Sequence, residues 1–455
     1  MSRKSIYVVF MGMALLAGCK ATGAGEGELT GHYNVKFDNT KIPTGMTYIP
    51  GGRATLGLSD EDLNFTQSNP PRMKSFKAFF MDETEISNAE YRQFVNWVRD
   101  SIAVTSLGAG KAPEYFLKPR PAKGETAAPN PNINWAKVSN GSALWSSSKG
   151  GHNKDLSELY YTGEDAIPGR AEIDVRKLKY AYNYLNLDLA AEGRKDPSKS
   201  RRDFIEIYTD FPNKEKSNEF PSINVYPDTM VWKVDYSYSQ NDPIVRSYFN
   251  HPSYDNYPVV GVSWEQARAF SVWRGRLYER TAAMKKLPST AVPEYRLPTE
   301  AEFEYAARGG RNLAKYPWGG PYMRTAKGQM QANFKVGRGN YLDDGGLYTV
   351  NVKSYLPNDY GLYNMAGNVA EWTETAYSSS SVSMLADFNP NYTYNAKAGD
   401  SKYLKRKVVK GGSWKDIGFF LQNGAATYEY QDQSRSYIGF RCVYSYPGAE
   451  LSYKK

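Results

Sequence analysis

The chain has few of the side chains that enzymes most often use for nucleophilic or metal-based chemistry. Its 455 residues include two cysteines, Cys19 and Cys442, and three histidines, His32, His152 and His251. Histidines this scattered do not predict a histidine-bearing metal helix or a Ser-His-Asp arrangement. Catalysis that depends on either residue type is therefore disfavoured.

Long apolar runs are also missing. The apolar run at residues 6–16 has about 11 residues, whereas a membrane-spanning helix needs roughly 20. It follows two basic residues and ends in LAGC at 16–19, which is typical of a lipoprotein signal peptide. We predict a signal peptide at residues 1–18, lipidation of Cys19 and a flexible tether at residues 19–44. The alternative is an ordinary secretory signal with an incidental cysteine.

The residues after Cys19 predict where the lipidated chain is held. Lys20 rather than Asp follows the cysteine, and residues 21–27 lack the acidic cluster that directs such lipoproteins to the cell surface. Both features are typical of lipoproteins on the periplasmic face of the outer membrane. With Cys19 lipidated, Cys442 has no cysteine left to pair with, so we expect no intramolecular disulfide.

A strong charge imbalance is absent as well. The net charge of +9 is moderate for this length, and the sequence has no basic stripe of the nucleic-acid-binding kind. Solvated surface explains this charge better than acidic partners do, and nucleic acid is not expected as a partner. The 37 tyrosines and 9 tryptophans favour loop-rich packing or a protein interface.

Three predicted helices begin with a capping box, in which a Ser or Thr and a Glu or Gln three residues later cap the first turn. They lie at Ser87–Glu90, Ser263–Gln266 and Thr299–Glu302. Apolar residues follow each box at helical spacing. Alternating residues at 46–57 predict a strand hairpin, and residues 76–82 predict a further strand. The pattern as a whole predicts an irregular α+β domain.

We predict that this domain spans residues 45–446, with a tail at 447–455 and a long insertion at about 106–256. The insertion is rich in Pro, Ala, Ser and Gly and becomes dense in Tyr and Asp towards its end. We interpret it as a partner-specific attachment; the alternative is disordered decoration, against which its aromatic residues argue. The candidate partner-binding residues are Tyr226, Trp232, Tyr236 and Tyr238. Alanine at Trp232 and Tyr236 is expected to abolish assembly while leaving the fold intact.

Five motifs lie in order along the second half of the chain. They are YPVVGVSW at 257–264, YRLPTEAEFEYAARGG at 295–310, GLYNMAGNVAEW at 361–372, GGSW at 411–414 and GFR at 439–441. Together they resemble the formylglycine-generating enzyme (sulfatase-modifying factor) family. The resemblance implies a loop-rich α+β fold related to C-type lectins. Most motif residues, and Trp318 between the second and third motifs, are expected to build that fold: Trp264, Trp318 and Trp372 as core, and Arg308 and Arg441 in internal ion pairs.

The chemistry of that family does not carry over to this sequence. The family oxidises a substrate cysteine with a copper ion held by two cysteine thiolates, and the resemblance places those cysteines at Asp416 and Leu421. Copper(I) requires soft thiolate ligands, which a carboxylate and an aliphatic side chain do not supply. We therefore expect no bound copper, no catalytic residue and no enzymatic activity.

The resemblance also implies structural calcium, since hard oxygen donors at two family sites are kept. The first set consists of Asn364, Gly367, Val369 and Glu371. The second set, which maps less surely, consists of Asn333, Phe334 and Asp344. The alternative for the first set is that Asn364 and Glu371 merely cap a turn.

Further phrases resemble one branch of the family, the GldK/PorK gliding-motility lipoproteins, whose paralogue GldJ shares the fold. They are GMTYIPGG at 45–52, LSDEDLNF at 58–65, EYRQFVNWVRDSI at 90–102, VYPDT at 225–229 and the His251-Pro252 pair before 257–261. This resemblance implies a structural ring subunit of the type IX secretion and gliding machinery. It also implies binding to a GldN/PorN-like periplasmic protein, self-association into the ring and an indirect link to GldL and GldM. The alternatives are a metal-dependent oxidase with a reorganised site and a stand-alone lectin-like module.

Overall fold

The computed structural model describes most of the chain from residue 42 to residue 446. The described residues are 42–58, 69–117, 132–139, 144–147, 151–185, 191, 193, 196, 198–200, 205–208, 223–235, 242–284, 294–337, 339–378, 385–397 and 399–446. The predicted signal peptide at 1–18, Cys19, all but the last three residues of the tether, Tyr236, Tyr238 and the tail at 447–455 lie outside them. Among the described residues, no helix combines the length and apolarity needed to cross a membrane.

The three predicted capping boxes all start helices. At the first, the Ser87 hydroxyl accepts from the Glu90 amide at 3.3 Å, and the Glu90 carboxylate accepts from the Ser87 amide at 2.8 Å. These contacts satisfy amides that the first helical turn leaves without partners. The helices are α1 (Asn88–Lys111), α2 (Trp135–Ser139), α3 (Val231–Val234), α4 (Asp242–Ser247), α5 (Trp264–Met284) and α6 (Glu300–Ala307).

The strands are short and form small sheets. They are β1 (Met46–Ile49), β2 (Gly52–Leu56), β3 (Arg72–Phe76), β4 (Phe79–Asp82), β5 (Lys179–Tyr180), β6 (Tyr182–Leu185), β7 (Ile205–Tyr208), β8 (Ile223–Asn224), β9 (Tyr295–Arg296), β10 (Ala370–Ala376), β11 (Arg406–Lys410), β12 (Thr427–Tyr430), β13 (Ile438–Gly439) and β14 (Val443–Ser445). Two sheets have four strands each, in the orders β1-β4-β14-β9 and β12-β11-β10-β13. The other described strands form the pairs β2-β3, β5-β8 and β6-β7.

The predicted hairpin at 46–57 is wrong, although both of its strands exist. β1 pairs with β4, and β2 pairs with β3, so the two strands belong to different sheets. Residues 76–82 likewise contain the end of β3 and all of β4 rather than one strand. The alternation of apolar and polar residues indicates which face of a strand is buried, but it does not determine which strand is the partner.

The main hydrophobic core lies between α1, α5 and the sheet strands. Tyr91 of α1 stacks on Phe270 of α5 with ring centroids 5.5 Å apart. Trp264 and Trp372 are fully buried, and their indole N–H groups donate to the Thr373 and Val262 carbonyls, respectively. Two of the three predicted core tryptophans are thus confirmed. Trp318 is only partly buried and stacks on Tyr316.

Much of the predicted insertion contributes to this same core. Tyr180, Ile223, Val225 and Phe249 are buried in the cluster that contains Tyr91. The Tyr91 hydroxyl also donates to the Val225 carbonyl at 3.0 Å. The described part of residues 106–256 is therefore not an appendage separate from the domain.

Candidate functional site

The first predicted cation set lies where a tight loop enters β10. Asn364 and Gly367 both adopt positive φ, at 49° and 81°. The Asn364 amide nitrogen donates to Glu85 Oε2 and to the Val352 carbonyl, each at 3.1 Å. Its side-chain oxygen is buried and has no hydrogen-bond partner among the described residues. A buried carbonyl oxygen without a donor is costly, and it is a suitable ligand for a hard cation.

Glu371, the carboxylate of that set, is fully buried in an ion pair. Arg441 donates to both of its oxygens, Nε to Oε2 at 2.7 Å and Nη2 to Oε1 at 2.6 Å. The same guanidinium donates to the carbonyls of Asp82, Glu83 and Tyr363. Each carboxylate oxygen keeps a second lone pair, so the pair restricts Glu371 without removing it as a ligand. The predicted internal pairing of Arg441 is confirmed, as is that of Arg308 with Glu304 at 2.6 Å.

Gly367 and Val369 place the first set directly against the second. A Cβ at Gly367 would lie 2.5 Å from the Asn333 carbonyl oxygen, so only glycine fits this approach. Val369 is buried beside Trp232 and Trp414. The loop therefore depends on backbone contact with Asn333.

The second set contains another buried oxygen without a partner. Asn333 Nδ2 donates to the Tyr348 carbonyl at 2.7 Å, while no group in the described part of the chain donates to its Oδ1. Asp344 accepts from the amides of Phe334 at 2.7 Å and Gly346 at 3.1 Å. Burial raises the pKa of Asp344, and no cationic side chain pairs with it among the described residues. A carboxylate in this state favours a nearby positive ion.

Two residues that the sequence did not indicate connect these sets. Glu85 is fully buried and accepts from the side-chain amides of both Asn364 and Asn368. The Asn368 backbone amide in turn donates to the Asn333 carbonyl at 2.8 Å. Burial raises the pKa of Glu85 to about 8 against the attraction of Arg441. The one available sequence signal was the acidic run DETE at 82–85, directly before a capped helix.

The two sets border a groove of about 860 Å³ that gives access from solvent. Asn364 and Asp344 both line it. The donors around it are amide, backbone and carboxylate oxygens, and no group of three or more His, Cys, Asp or Glu residues capable of holding a metal occurs in the described part of the chain. Oxygen donors of this kind suit calcium. The residues present fit such an ion, and calcium stays a prediction.

The residues that the resemblance aligns with the copper cysteines have other roles. Asp416 accepts from the Ser413 backbone amide at 3.0 Å and from the Ser413 hydroxyl at 2.6 Å, which fixes the GGSW turn. Leu421 is 1% exposed and packs with Tyr316 and Phe334. Neither arrangement leaves a soft ligand at these positions.

Cys442 is fully buried, directly before β14. Its sulfur lies 3.3 Å from the Ser271 hydroxyl, and it is the one free cysteine among the described residues. Burial, with the negative charge of Asp82, raises the pKa of the thiol to about 12. A thiol in this state is neither a nucleophile nor a metal ligand at neutral pH.

The partner-binding assignment of Trp232 is wrong. Its side chain is 1% exposed and packs against Tyr248 and Trp414, with ring centroids 4.9 and 6.3 Å away. An apolar indole gains more from this packing than from solvent exposure, so its replacement by alanine would damage the fold rather than spare it. Tyr226 is partly buried and accepts a hydrogen bond from Asn250. Its role in partner binding, and those of Tyr236 and Tyr238, stay predictions.

Comparisons with known proteins identify the family. The family described as the sulfatase-modifying factor enzyme 1-like domain matches residues 34–175 and 201–446. The formylglycine-generating enzyme of Mus musculus is 35% identical over 194 residues, which cover 41% of this chain and 44% of the relative. The inactive C-alpha-formylglycine-generating enzyme 2 of Bos taurus is 30% identical over 215 residues, which cover 44% and 57%, respectively.

The similarity to these curated relatives is therefore partial, since the chain spans about half of their length. Among solved structures, PvdO from Pseudomonas aeruginosa aligns with a TM-score of 0.43 and 16% identity over 88% of this chain and 94% of that one. The family match alone covers well over half of the sequence. The chain thus belongs to the sulfatase-modifying factor enzyme 1-like family, the formylglycine-generating enzyme family.

Proposed function

We propose that this chain is a non-catalytic member of the family that works by binding. The observation that carries the proposal is the state of the three positions where thiolate chemistry would occur. Asp416 fixes a turn, Leu421 is core, and Cys442 is a buried neutral thiol. Inactive relatives within the family support such a role.

A thiol titration together with a copper assay tests the loss of catalysis. The Cys19→Ser chain, which retains one cysteine, is expected to show no reactive thiol when folded and one after unfolding in urea. It is also expected to bind no copper and to leave a cysteine-containing sulfatase peptide unchanged. Stoichiometric copper, or peptide oxidation that Cys442→Ala abolishes, would instead establish an oxidase.

We further propose that lipidated Cys19 holds the chain on the periplasmic face of the outer membrane. The LAGC sequence at 16–19 after a short apolar run supports the anchor. Metabolic labelling with a fatty acid and membrane fractionation test it. Cys19→Ala is expected to lose the label and leave the outer-membrane fraction, and retention of both would contradict the anchor.

At this location we propose a structural ring subunit of the type IX secretion and gliding machinery. It would bind a GldN/PorN-like protein, associate with further copies of itself and connect indirectly to GldL and GldM. The GldK/PorK-like phrases at 45–52, 58–65, 90–102 and 225–229 support this role. The test is the composition of the native assembly, described at the end of the Discussion.

A further inference from the structure

One buried asparagine that belongs to neither cation set contacts the backbone around both. Asn368 is fully buried in the loop before β10 and has a positive φ of 62°. The Val350 amide donates to Asn368 Oδ1 at 2.8 Å, and Asn368 Nδ2 donates to the Val350 carbonyl at 3.3 Å. An asparagine side chain can donate and accept at once, so it pairs with both backbone groups of one residue. Asn368 therefore fixes the position of Val350 beside the loop.

Val350 is the middle residue of a short segment that holds one asparagine of each set. Tyr348 lies two residues before it and Val352 two residues after it. Asn333 Nδ2 donates to the Tyr348 carbonyl at 2.7 Å, and Asn364 Nδ2 donates to the Val352 carbonyl at 3.1 Å. A shift of this segment would therefore disturb both asparagine side chains.

These bonds determine which way the two amides point. An asparagine side chain carries its donor nitrogen and its acceptor oxygen on opposite sides. Because carbonyl groups hold the nitrogens of Asn333 and Asn364, their oxygens face the other way. Both oxygens are buried, and neither has a donor among the residues that the structure describes. This is the orientation in which the oxygens can bind a hard cation.

Glu85 holds Asn368 and one of these asparagines together. Its Oε1 accepts from Asn368 Nδ2 at 2.9 Å, and its Oε2 accepts from Asn364 Nδ2 at 3.1 Å. The Asn368 backbone adds a bond to the other set, since its amide donates to the Asn333 carbonyl at 2.8 Å. Groups that orient the ligands of a metal typically change its affinity by about 10–100-fold when they are removed.

We propose that Asn368 is a positioning residue for both cation sets. Fixed by Glu85, it holds the segment that turns the oxygens of Asn333 and Asn364 towards their ions. Loss of this one side chain, which is not a predicted ligand, weakens calcium binding at both sets. The inference rests on the predicted calcium sites and is independent of the ring-subunit role.

The test is isothermal titration of calcium into the full-length chain in two backgrounds that separate the sets. Asp344→Asn removes the carboxylate of the second set and leaves the first, and Asn364→Ala does the reverse. Adding Asn368→Gly to each background is expected to weaken the remaining calcium site about tenfold or more. Glycine tolerates the positive φ at this position, so the side chain is lost without backbone strain.

A matched control makes the same substitution away from both sets. Asn224 in β8 also pairs with backbone, since it donates to the Val175 carbonyl and accepts from the Tyr226 amide, both at 2.8 Å. Asn224→Gly is expected to leave both calcium affinities unchanged. The free energy of unfolding of each variant is measured in excess EDTA, because a purely structural role of Asn368 would lower it there without changing the calcium affinity.

A second variant guards against a folding defect in Asn368→Gly. Glu85→Gln places an amide group, which has a single acceptor oxygen, opposite two donor nitrogens, and it is expected to weaken both calcium sites as well.

Four results would overturn the proposal. Unchanged affinity on adding Asn368→Gly in either background would do so and leave the calcium sites in place. Equal weakening by Asn224→Gly would show a general effect of lost backbone contacts. Unchanged affinities in Glu85→Gln would show that fixing Asn368 is not needed. No binding of millimolar calcium by the wild type would overturn the predicted sites and this inference together.

Discussion

At the scale of single residues, this fold depends on charged side chains buried as pairs. Arg441 and Glu371 are both fully buried, and the guanidinium also donates to the Asp82 and Tyr363 carbonyls. One side chain therefore joins the C-terminal GFR motif, the loop before β10 and the end of β4. A buried pair of this kind is costly to break, because each partner depends on the other for neutralisation.

Removing one partner of this pair should destabilise the protein strongly. We expect Arg441→Met to lower the free energy of unfolding by about 3–5 kcal/mol, since it leaves Glu371 buried and unpaired. The double variant with Glu371→Met should recover part of the loss. Urea denaturation measures both. Arg311→Gln breaks the exposed pair with Asp359 and should lower the free energy of unfolding by at most about 1 kcal/mol. Equal losses of stability for Arg441→Met and Arg311→Gln would contradict this expectation.

Lys407 is a buried cation in a different situation. Its ammonium donates to the Tyr394 carbonyl at 2.8 Å and lies 3.7 Å from the centre of the Trp264 ring. Burial lowers the pKa of Lys407 to about 7, although Glu374 acts in the opposite direction. Between pH 7 and the usual lysine value, the unfolded chain binds a proton that the folded chain does not. Stability from this group must therefore rise with pH in that window.

Lys407→Met should remove this pH dependence. The free energy of unfolding of the wild type, relative to the variant, should rise from pH 7 to pH 10 by at most about 1.4 kcal/mol per pH unit. Lys402→Met, at an exposed lysine four residues before β11, should leave the slope of the wild type in place. Urea titrations at stepped pH give both slopes, and parallel curves for the wild type and Lys407→Met would refute the assigned burial effect.

At the scale of elements, local signals predicted helices better than strands. The capping boxes at Ser87, Ser263 and Thr299 fix helix starts within four residues, so the sequence alone contains the whole signal. Strand partners lie far apart in the chain. Nothing near β1 indicates that it pairs with β4 rather than β2, and this is why the hairpin prediction failed.

In the candidate site too, residues close together in the sequence were predicted and contacts between distant residues were not. The resemblance of the motif at 361–372 to the family implied Asn364 and Glu371 as ligands, and both lie within that one short stretch. Glu85 contacts Asn364 and Asn368 across 279 and 283 residues, and no local pattern reports such a contact. Trp232 was assigned to the surface because composition alone does not show that Tyr248 and Trp414 cover it.

The cap of α1 gives a direct test at this scale. Ser87→Ala removes the acceptor for the Glu90 amide and should lower the free energy of unfolding by about 1 kcal/mol. Thr105→Ala, at an exposed position of the same helix, removes a bond to the Ser101 carbonyl that the helix does not need. We expect the control to change stability by less than about 0.5 kcal/mol. Denaturation midpoints separate the two, and a larger loss for Thr105→Ala would be inconsistent with the cap.

We expect calcium to raise the thermal stability of the protein by binding the loops at 333–371. If calcium binds the folded chain alone, a concentration 100 times the dissociation constant stabilises it by about 2.7 kcal/mol. Thermal unfolding after chelation should occur at a lower temperature and recover on adding calcium. Asn364→Ala should reduce the stabilisation by calcium. Asn312→Ala, which removes an exposed side-chain oxygen that accepts from the Thr55 amide, should leave it unchanged. No change on chelation would limit Asn364 to turn formation and Glu371 to its ion pair with Arg441.

At the scale of the whole molecule, we propose that lipidated Cys19 anchors a domain that carries out no thiolate chemistry. The domain belongs to a family in which both active and inactive members occur. In this chain Asp416 fixes a turn, and Leu421 and Cys442 are buried in the core. A protein of this kind is expected to act through the surfaces it presents.

The most direct test is the mass and composition of the particle released from the native envelope by a mild detergent. We expect an assembly many times the mass of one chain, containing further copies of this chain and a second periplasmic protein of the GldN/PorN type. A single chain without partners, carrying stoichiometric copper or binding carbohydrate, would contradict the structural role.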